Sequence, residues 1–454
     1  MADIHFIGRE KELNELKDIS KGNFFLILKG RRRIGKTSLL RKAFPNAIYL
    51  FIWPDKSIDW ILEQLSSEYQ LPRFKNFGSL LEYLLDLDKV VILDEFQNFL
   101  NIDKSIYGEV QEIIDRRKLE KKAFKLAVAG SSHSLMNKVF YDSASPLYGR
   151  KTHEIDLRNL DASALFSELK IPLTEFIDLW SVFEGVPYYY ELIDLKKKAR
   201  ENIFSLVLSR DSQLRDEGKA ILSVEFGKDS RTYNTVLTAI SEGKTKLNEI
   251  SSLFDNKKTE TMKYIDILRK EFNLVRKVTP LTENPKKSRT GKYEINDNFL
   301  SFWFYFYDKN RSYVEQERFE ELKSFFNDQF NGYVGRKFEK FIITLIRNGK
   351  ISFGAKFNSI GSQWGKSEDG TYEIDVMAIN SKGILLGECK WSDDVNSLEV
   401  LNDLDKKLEN IDKRGKYLIL CIFAKSFSKK IEEFNGNLVH CYDLKDIEKF
   451  LRKK

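Results

Sequence analysis

Histidine and cysteine are scarce in this chain, at four and three residues in 454. Cys389, Cys421 and Cys441 and the scattered histidines match no zinc-ligand spacing and no disulfide framework. This excludes a disulfide-stapled secreted scaffold and leaves a reducing, cytoplasmic setting as the expectation. Long apolar runs are missing as well. The longest, FLSFWFYFY at 299–307, is nine residues and contains a serine, far short of the roughly 18 that span a membrane. The N-terminal MADIHFIGRE lacks the apolar segment of a signal peptide. No membrane partner is expected, and no internal repeat or low-complexity tract is present.

What is there describes a soluble globular chain: 42% hydrophobic and 31% charged residues, enough for more than one core. The length fits about three domains. Net charge is +7, and residues 231–292 hold 14 Lys/Arg against 7 Asp/Glu, so this one segment accounts for the whole surplus. A confined basic surplus is the footprint of a polyanion-binding module.

The stretch FFLILKGRRRIGKTSLL, 24–40, sets the functional expectation. An apolar strand leads into Gly30-Arg31-Arg32-Arg33-Ile34-Gly35-Lys36-Thr37-Ser38 and then a helix, the G-x-x-x-x-G-K-[ST] pattern in its required context. The glycines let backbone N–H groups converge at the positive end of the following helix. Lys36 then reaches the β- and γ-phosphates of ATP, and Thr37 ligates Mg²⁺. A second strand reads at 47–52. A third, KVVILDE at 89–95, delivers Asp94 to the Mg²⁺ shell and Glu95 to the attacking water. A fourth, LAVAGSSHSLM at 126–136, ends in Gly130-Ser131-Ser132, where Ser131 can contact the γ-phosphate or a serine can cap a helix. SPLYGRKTHEIDL, 145–157, gives a loop with Arg150 and a fifth strand. Arg150 either stabilises the transferring phosphoryl, in cis or across the boundary of a homo-oligomer, or pairs with local carboxylates.

Further on, TYNTVLTAI, KLNEISSLF and KKTETMKYIDILRKEF read as three helices, followed by LVRKVTPL and GKYEINDNF as two strands around the loop TENPKKSR. That order predicts a winged helix-turn-helix with a basic surface over 257–292: Lys257, Lys258, Thr259 and Lys263 on the longest helix, and Lys286, Lys287 and Arg289 in the wing. DNA is the expected partner, with protein packing as the competing use. Residues 299–307 read as a buried helix and 308–330 as a charged helical connector. GRKFEKFIITLI, 335–346, is an amphipathic helix carrying Glu339. TYEIDVMAIN (371–380) and GILLGECKW (383–391) are strands carrying Glu373, Asp375, Glu388 and Lys390, with Glu388 and Lys390 on one face and Cys389 on the other. Two carboxylates and a lysine converging can hold Mg²⁺ and activate water for phosphodiester attack.

GRRRIGKTSLL, VVILDEFQNF, GSSHSLM and PLYGR, in this order, resemble the archaeal ATPase family, a P-loop branch related to the AAA+ and STAND classes. FIGRE, 6–10, is similar to the N-terminal turn of origin-recognition-like and signalling ATPases, and FEGVPYYYELI, 183–193, to the family's Gly-x-Pro lid element (Gly185, Pro187). The resemblance implies an α/β fold with a parallel sheet, an extra strand between the two nucleotide motifs and a helical lid. Asp-x(12)-Glu-x-Lys after a helix bearing Glu339 resembles the PD-(D/E)xK, restriction-endonuclease-like core, with Glu339, Asp375 and Glu388 as its metal set. Ile374 stands where that motif usually has proline. The expected division is 1–158 ATPase core, 159–228 lid, 229–310 winged helix and 311–454 nuclease-like domain. The expected function is a Mg²⁺-dependent ATPase coupled to DNA binding and cleavage. A nucleotide-driven STAND-like switch with a non-catalytic C-terminal module is the alternative.

Overall fold

The computed structural model describes residues 7–226, 230–368, 370–413 and 415–452; Phe6 of the FIGRE turn and the expected 228/229 boundary lie outside these. Five strands form the first sheet: β1 (Phe24–Lys29), β2 (Ile48–Phe51), β3 (Val91–Asp94), β4 (Lys125–Gly130) and β5 (His153–Asp156). All pair in parallel, in the order β2-β3-β4-β1-β5. β4 therefore lies between the two nucleotide-motif strands, as the resemblance implies. The alternation of side chains explains why β1 is apolar throughout. Phe24, Leu26 and Leu28 enter one core and Phe25 and Ile27 the other, so helices cover both faces. Parallel strands also bring their C-terminal ends to one edge, where ligands bind in open α/β sheets.

The strand ends are shorter than the sequence expectation. β4 stops at Gly130, because Ser132 caps the helix His133–Phe140 by accepting from the Leu135 N–H at 3.2 Å. β5 occupies only the last residues of 145–157, and β3 ends at Asp94, since Glu95 takes a left-handed φ of 56°.

Helices Ala162–Leu169, Leu173–Phe183, Pro187–Glu191, Ala199–Ile203 and Glu217–Phe226 follow the sheet, as the helical spacing predicts. Next come helices Ser230–Ser241, Leu247–Ser251 and Lys258–Lys270, then the antiparallel hairpin of β6 (Val275–Val278) and β7 (Lys292–Ile295). The 299–307 run is buried as expected: Trp303 is 2% exposed and donates its indole N–H to the Arg215 carbonyl at 2.7 Å.

The second half of the connector and the Glu339 helix are one element, Phe319–Arg347, of 29 residues, after a separate short helix Arg311–Glu315. Gly332 and Gly335 lie inside it, at about 1 kcal/mol each relative to alanine. Burial of Phe326, Phe330, Tyr333, Phe338 and Phe341 outweighs that cost, at roughly 1.5–3 kcal/mol per large side chain. The helix packs its Phe341 ring 4.9 Å from Trp180 of the lid. It also joins the lid core to the last sheet in one apolar cluster.

That sheet holds β8 (Ser359–Ser367), β9 (Gly370–Ile379), β10 (Gly383–Lys390), β12 (Tyr417–Ala424), β14 (Glu433–Phe434) and β15 (Asn437–Tyr442). The order is β14-β15-β12-β10-β9-β8. β8, β9 and β10 are antiparallel neighbours, and β10, β12 and β15 are parallel. Two short strands, β11 (Val395–Asn396) and β13 (Phe427–Lys429), pair beside it. Among the described residues, no helix is long and apolar enough to cross a membrane.

Candidate functional site

The loop after β1 takes its shape from two glycines. Gly35 sits at φ +92°, a region that side-chain-bearing residues avoid, and a Cβ on Gly30 would lie 2.8 Å from the Leu157 carbonyl. Ile34 is buried and pins the loop, and its carbonyl accepts from Arg9 at 3.3 Å. Lys36 begins the helix Lys36–Ala43, and its ammonium donates to the Gly30 and Arg31 carbonyls at 2.8 and 3.1 Å. Burial pulls this ammonium below the ordinary lysine range, while the charges of Glu95 and Asp94 act in the opposite direction. Ser38 is half-buried on the same turn.

The two nucleotide motifs meet directly. The Thr37 hydroxyl donates to Asp94 Oδ2 at 2.5 Å, and Tyr49 on β2 donates to the same oxygen at 2.7 Å. Asp94 is 3% exposed. One residue on, Glu95 Oε2 accepts from the Ser131 hydroxyl at 2.7 Å and from Gln97 at 2.5 Å. Of the neighbouring serines at the tip of β4, Ser131 donates to Glu95 and Ser132 caps the helix.

The three loop arginines point elsewhere. Arg33 forms a two-bond pair with Glu217 of the lid, at 2.7 and 2.9 Å, and stacks 3.8 Å over the Tyr188 ring. Arg31 pairs with Asp297 and donates to the Tyr189 hydroxyl at 3.3 Å. Arg32 is exposed, 4.0 Å from Glu217. Their backbones remain in the loop, while the side chains of Arg31 and Arg33 tie it to elements about 160 to 270 residues downstream. Arg150 is turned toward the helix Ile106–Leu119, donating to Asp115 at 3.2 Å and to the Tyr148 carbonyl at 3.0 Å, which is the local-carboxylate pairing.

At the C-terminal sheet, β9 and β10 bring Asp375 beside the 388–390 segment, where the Cys389 N–H donates to Asp375 Oδ2 at 2.9 Å. Asp375 lies within β9, not at its end. Glu388 is 3% exposed and accepts from Lys407 at 2.7 Å and Lys390 at 3.1 Å. Burial, then the charge of Glu388, pushes the Asp375 carboxyl up to about 6. Glu339 on the long helix is pushed well above the carboxylate range by burial, then by Asp375, Glu373 and Glu388. Among the described residues no three His, Cys, Asp or Glu side chains converge closely enough to hold a metal ion. The expected set of Glu339, Asp375 and Glu388 therefore shares one field without forming a ligand cage.

Arg9 belongs to the FIGRE turn that the sequence singles out, whereas Tyr49, Gln97 and Lys407 are not among the residues it names. Gln97 follows Glu95 by two residues and was within reach of the sequence pattern. The others come from separate elements, and Tyr49 and Lys407 carry no motif.

Residues 22–165 match the family model described as an AAA domain, and residues 303–404 the one described as archaea bacterial proteins of unknown function. An uncharacterized protein, MJECL04 of Methanocaldococcus jannaschii, is 31% identical over 97% of this chain and 99% of its own. The walker-type ATPase paby2304 of Pyrococcus abyssi superposes with a TM-score of 0.48 at 17% identity, over 65% of this chain and 95% of that one. The ORC2 protein of Aeropyrum pernix gives 0.30 at 14% identity, over 63% and 89%. With its phosphate loop, its strand order and a full-length relative, the chain belongs to the archaeal ATPase family of AAA-type P-loop proteins.

Proposed function

We propose that this protein is a Mg²⁺-dependent ATPase whose nucleotide cycle governs DNA contact by the three-helix and hairpin unit. The observation that carries the ATPase reading is the pairing of Thr37 with Asp94 beside the Glu95–Ser131 contact. The residues fit a metal-bound triphosphate: a glycine-shaped amide loop, a buried ammonium, and a hydroxyl and carboxylate sharing one point. Mg²⁺ held by Thr37 and Asp94 would supply charge neutralisation on the β- and γ-phosphates. Glu95 positions and deprotonates the attacking water, and Ser131 fixes that carboxylate. The proposed working units remain 1–158, 159–228, 229–310 and 311–454.

DNA contact is supported by Lys257 at the N-cap of the longest helix of the unit, Lys258, Thr259 and Lys263 on that helix, and Lys286, Lys287 and Arg289 on the hairpin loop, all exposed. Neutralising Lys257, Lys258, Lys286 and Lys287 together to glutamine is expected to flatten the salt dependence of duplex binding by about 3–4 in log K against log [salt]. Fluorescence anisotropy across a salt series measures this, and an unchanged slope argues for a protein partner on this face.

Cleavage by Asp375, Glu388 and Lys390 is the finer part of the proposal. The switch reading has one observation in its favour: Glu388 is held by two lysines, Lys407 at 2.7 Å and Lys390 at 3.1 Å. Plasmid nicking with Mg²⁺ or Mn²⁺ separates the two. Loss of at least about 100-fold in Asp375→Ala and Lys390→Ala supports cleavage, and equal behaviour of wild type and variants supports the switch.

A further inference from the structure

The β6–β7 hairpin, the C-terminal half of the long helix and the start of β8 line a half-enclosed cavity of about 770 Å³, within the roughly 300–1,000 Å³ of small-molecule sites. Its wall carries basic side chains with no carboxylate at hydrogen-bond distance; burial, then the charge of Lys340, pulls the Lys337 ammonium down to about 7, so an anion beside it would hold its proton in place. Lys337 donates to the Ser301 hydroxyl at 3.1 Å, Arg347 to the Ile360 carbonyl at 2.6 and 3.2 Å, and Lys277 to the Ser288 carbonyl at 2.7 Å. These acceptors are neutral. Arg336, on the same wall, is exposed, with its guanidinium 5.9 Å from the centre of the Tyr305 ring.

Two other cations of the wall are matched: Arg276 by Glu294 at 2.7 Å and Lys340 by Glu184 at 2.9 Å. Two more carboxylates line the wall: Glu283, which accepts from the Thr290 hydroxyl at 2.9 Å, and Glu339, whose carboxyl is pushed well above the usual range by burial and then by Asp375. Arg336 and Arg347 are exposed and Lys337 is half-buried; planar guanidinium groups open to solvent, with an ammonium on the same helix, match phosphate oxygens. Arg276, Lys340 and Thr344 also line a neighbouring cleft of about 680 Å³ that opens onto Gly30, Arg31 and Ser131. The two spaces share a wall, so an occupant of the cavity touches residues that face the nucleotide loop.

We propose that this cavity is a second anion site, separate from the phosphate loop, that takes a phosphate-bearing ligand of nucleotide size through Arg336, Lys337 and Arg347. The phosphate can belong to a free small anion or to the phosphorylated end of a nucleic-acid strand. The site stands on the cavity wall alone and does not require DNA contact by the hairpin unit or cleavage at the last sheet.

The test uses the full-length Lys36→Ala protein, in which the phosphate loop is silenced. Calorimetry is run with inorganic pyrophosphate, with a 5′-phosphorylated single-stranded hexamer and with the same hexamer unphosphorylated. Saturable binding is expected, weakened at least about tenfold by adding Lys337→Gln with Arg347→Gln. Arg336→Glu, on an exposed side chain that leaves the fold intact, gives a loss of the same order. Preference for pyrophosphate assigns a free anion, and preference for the phosphorylated hexamer over its unphosphorylated twin assigns a strand end. Absence of saturable binding by pyrophosphate and phosphorylated hexamer alike, or unchanged affinity in Arg336→Glu, overturns the site.

Discussion

Lys36→Ala is expected to lower ATP turnover by about a thousandfold, or ~4 kcal/mol of transition-state stabilisation, while the protein stays folded. The reason is local. The Lys36 ammonium is buried against carbonyls of its own loop, and no water-exposed cation can replace a charge held in that position. Losing those two hydrogen bonds costs about 1 kcal/mol each, and removing a desolvated ammonium offsets much of this. The melting temperature should therefore move by no more than about 5 °C. There is also a pH signature. Burial lowers the folded-state pKa of Lys36, so the unfolded chain binds its proton more tightly. Wild-type stability then rises as pH climbs from that lowered value toward the ordinary lysine range, and the alanine variant lacks that rise. Phosphate release and thermal melts over a pH series check both halves. Retained turnover in a folded variant would contradict the site.

Glu95→Gln is expected to separate binding from hydrolysis. Turnover falls by about 10²–10⁴-fold, the range for removing a general base, while nucleotide affinity stays within about threefold of wild type. The amide is nearly isosteric and keeps its places beside Ser131 and Gln97, so the loss reports the proton acceptor and not a rearranged strand end. Glu95 stands at φ 56°, a strained conformation for a residue with a side chain, and it lifts the carboxylate off the strand toward Ser131. Single-turnover phosphate release beside equilibrium binding of a fluorescent ATP analogue distinguishes the outcomes. Parallel loss of both would mean that Glu95 shapes the pocket and does not act on water.

These two expectations concern residues that the sequence singles out unaided. Gly30 to Thr37 and Asp94-Glu95 are legible because their chemistry is written into short backbone segments. A glycine pair bends a loop, a helix start follows it, and an apolar strand ends in acids at a known edge of the sheet. The same holds for β1, where five successive apolar residues demand cover on both faces. Strand ends were less legible, since capping by Ser132 and the turn at Glu95 compete with strand propensity one residue at a time.

Beyond that, packing decided. SIGSQWGKS has no apolar alternation, and it becomes β8 only by pairing along β9, with a register shift between Gly361 and Gln363. The long helix runs through two glycines because its aromatic side chains are buried by the lid and by the last sheet. The direction of Arg150, the ties of Arg31 to Asp297 and Arg33 to Glu217, and the hold of Lys407 on Glu388 join residues far apart in the chain. Sequence by itself determined the phosphate loop, the acidic strand end and the α/β class, because each depends on neighbours within about ten residues. Which charged groups meet, and so which of them are free to meet a ligand, was settled only when distant elements shared one core, because ion pairing depends on separations that the order of residues does not encode.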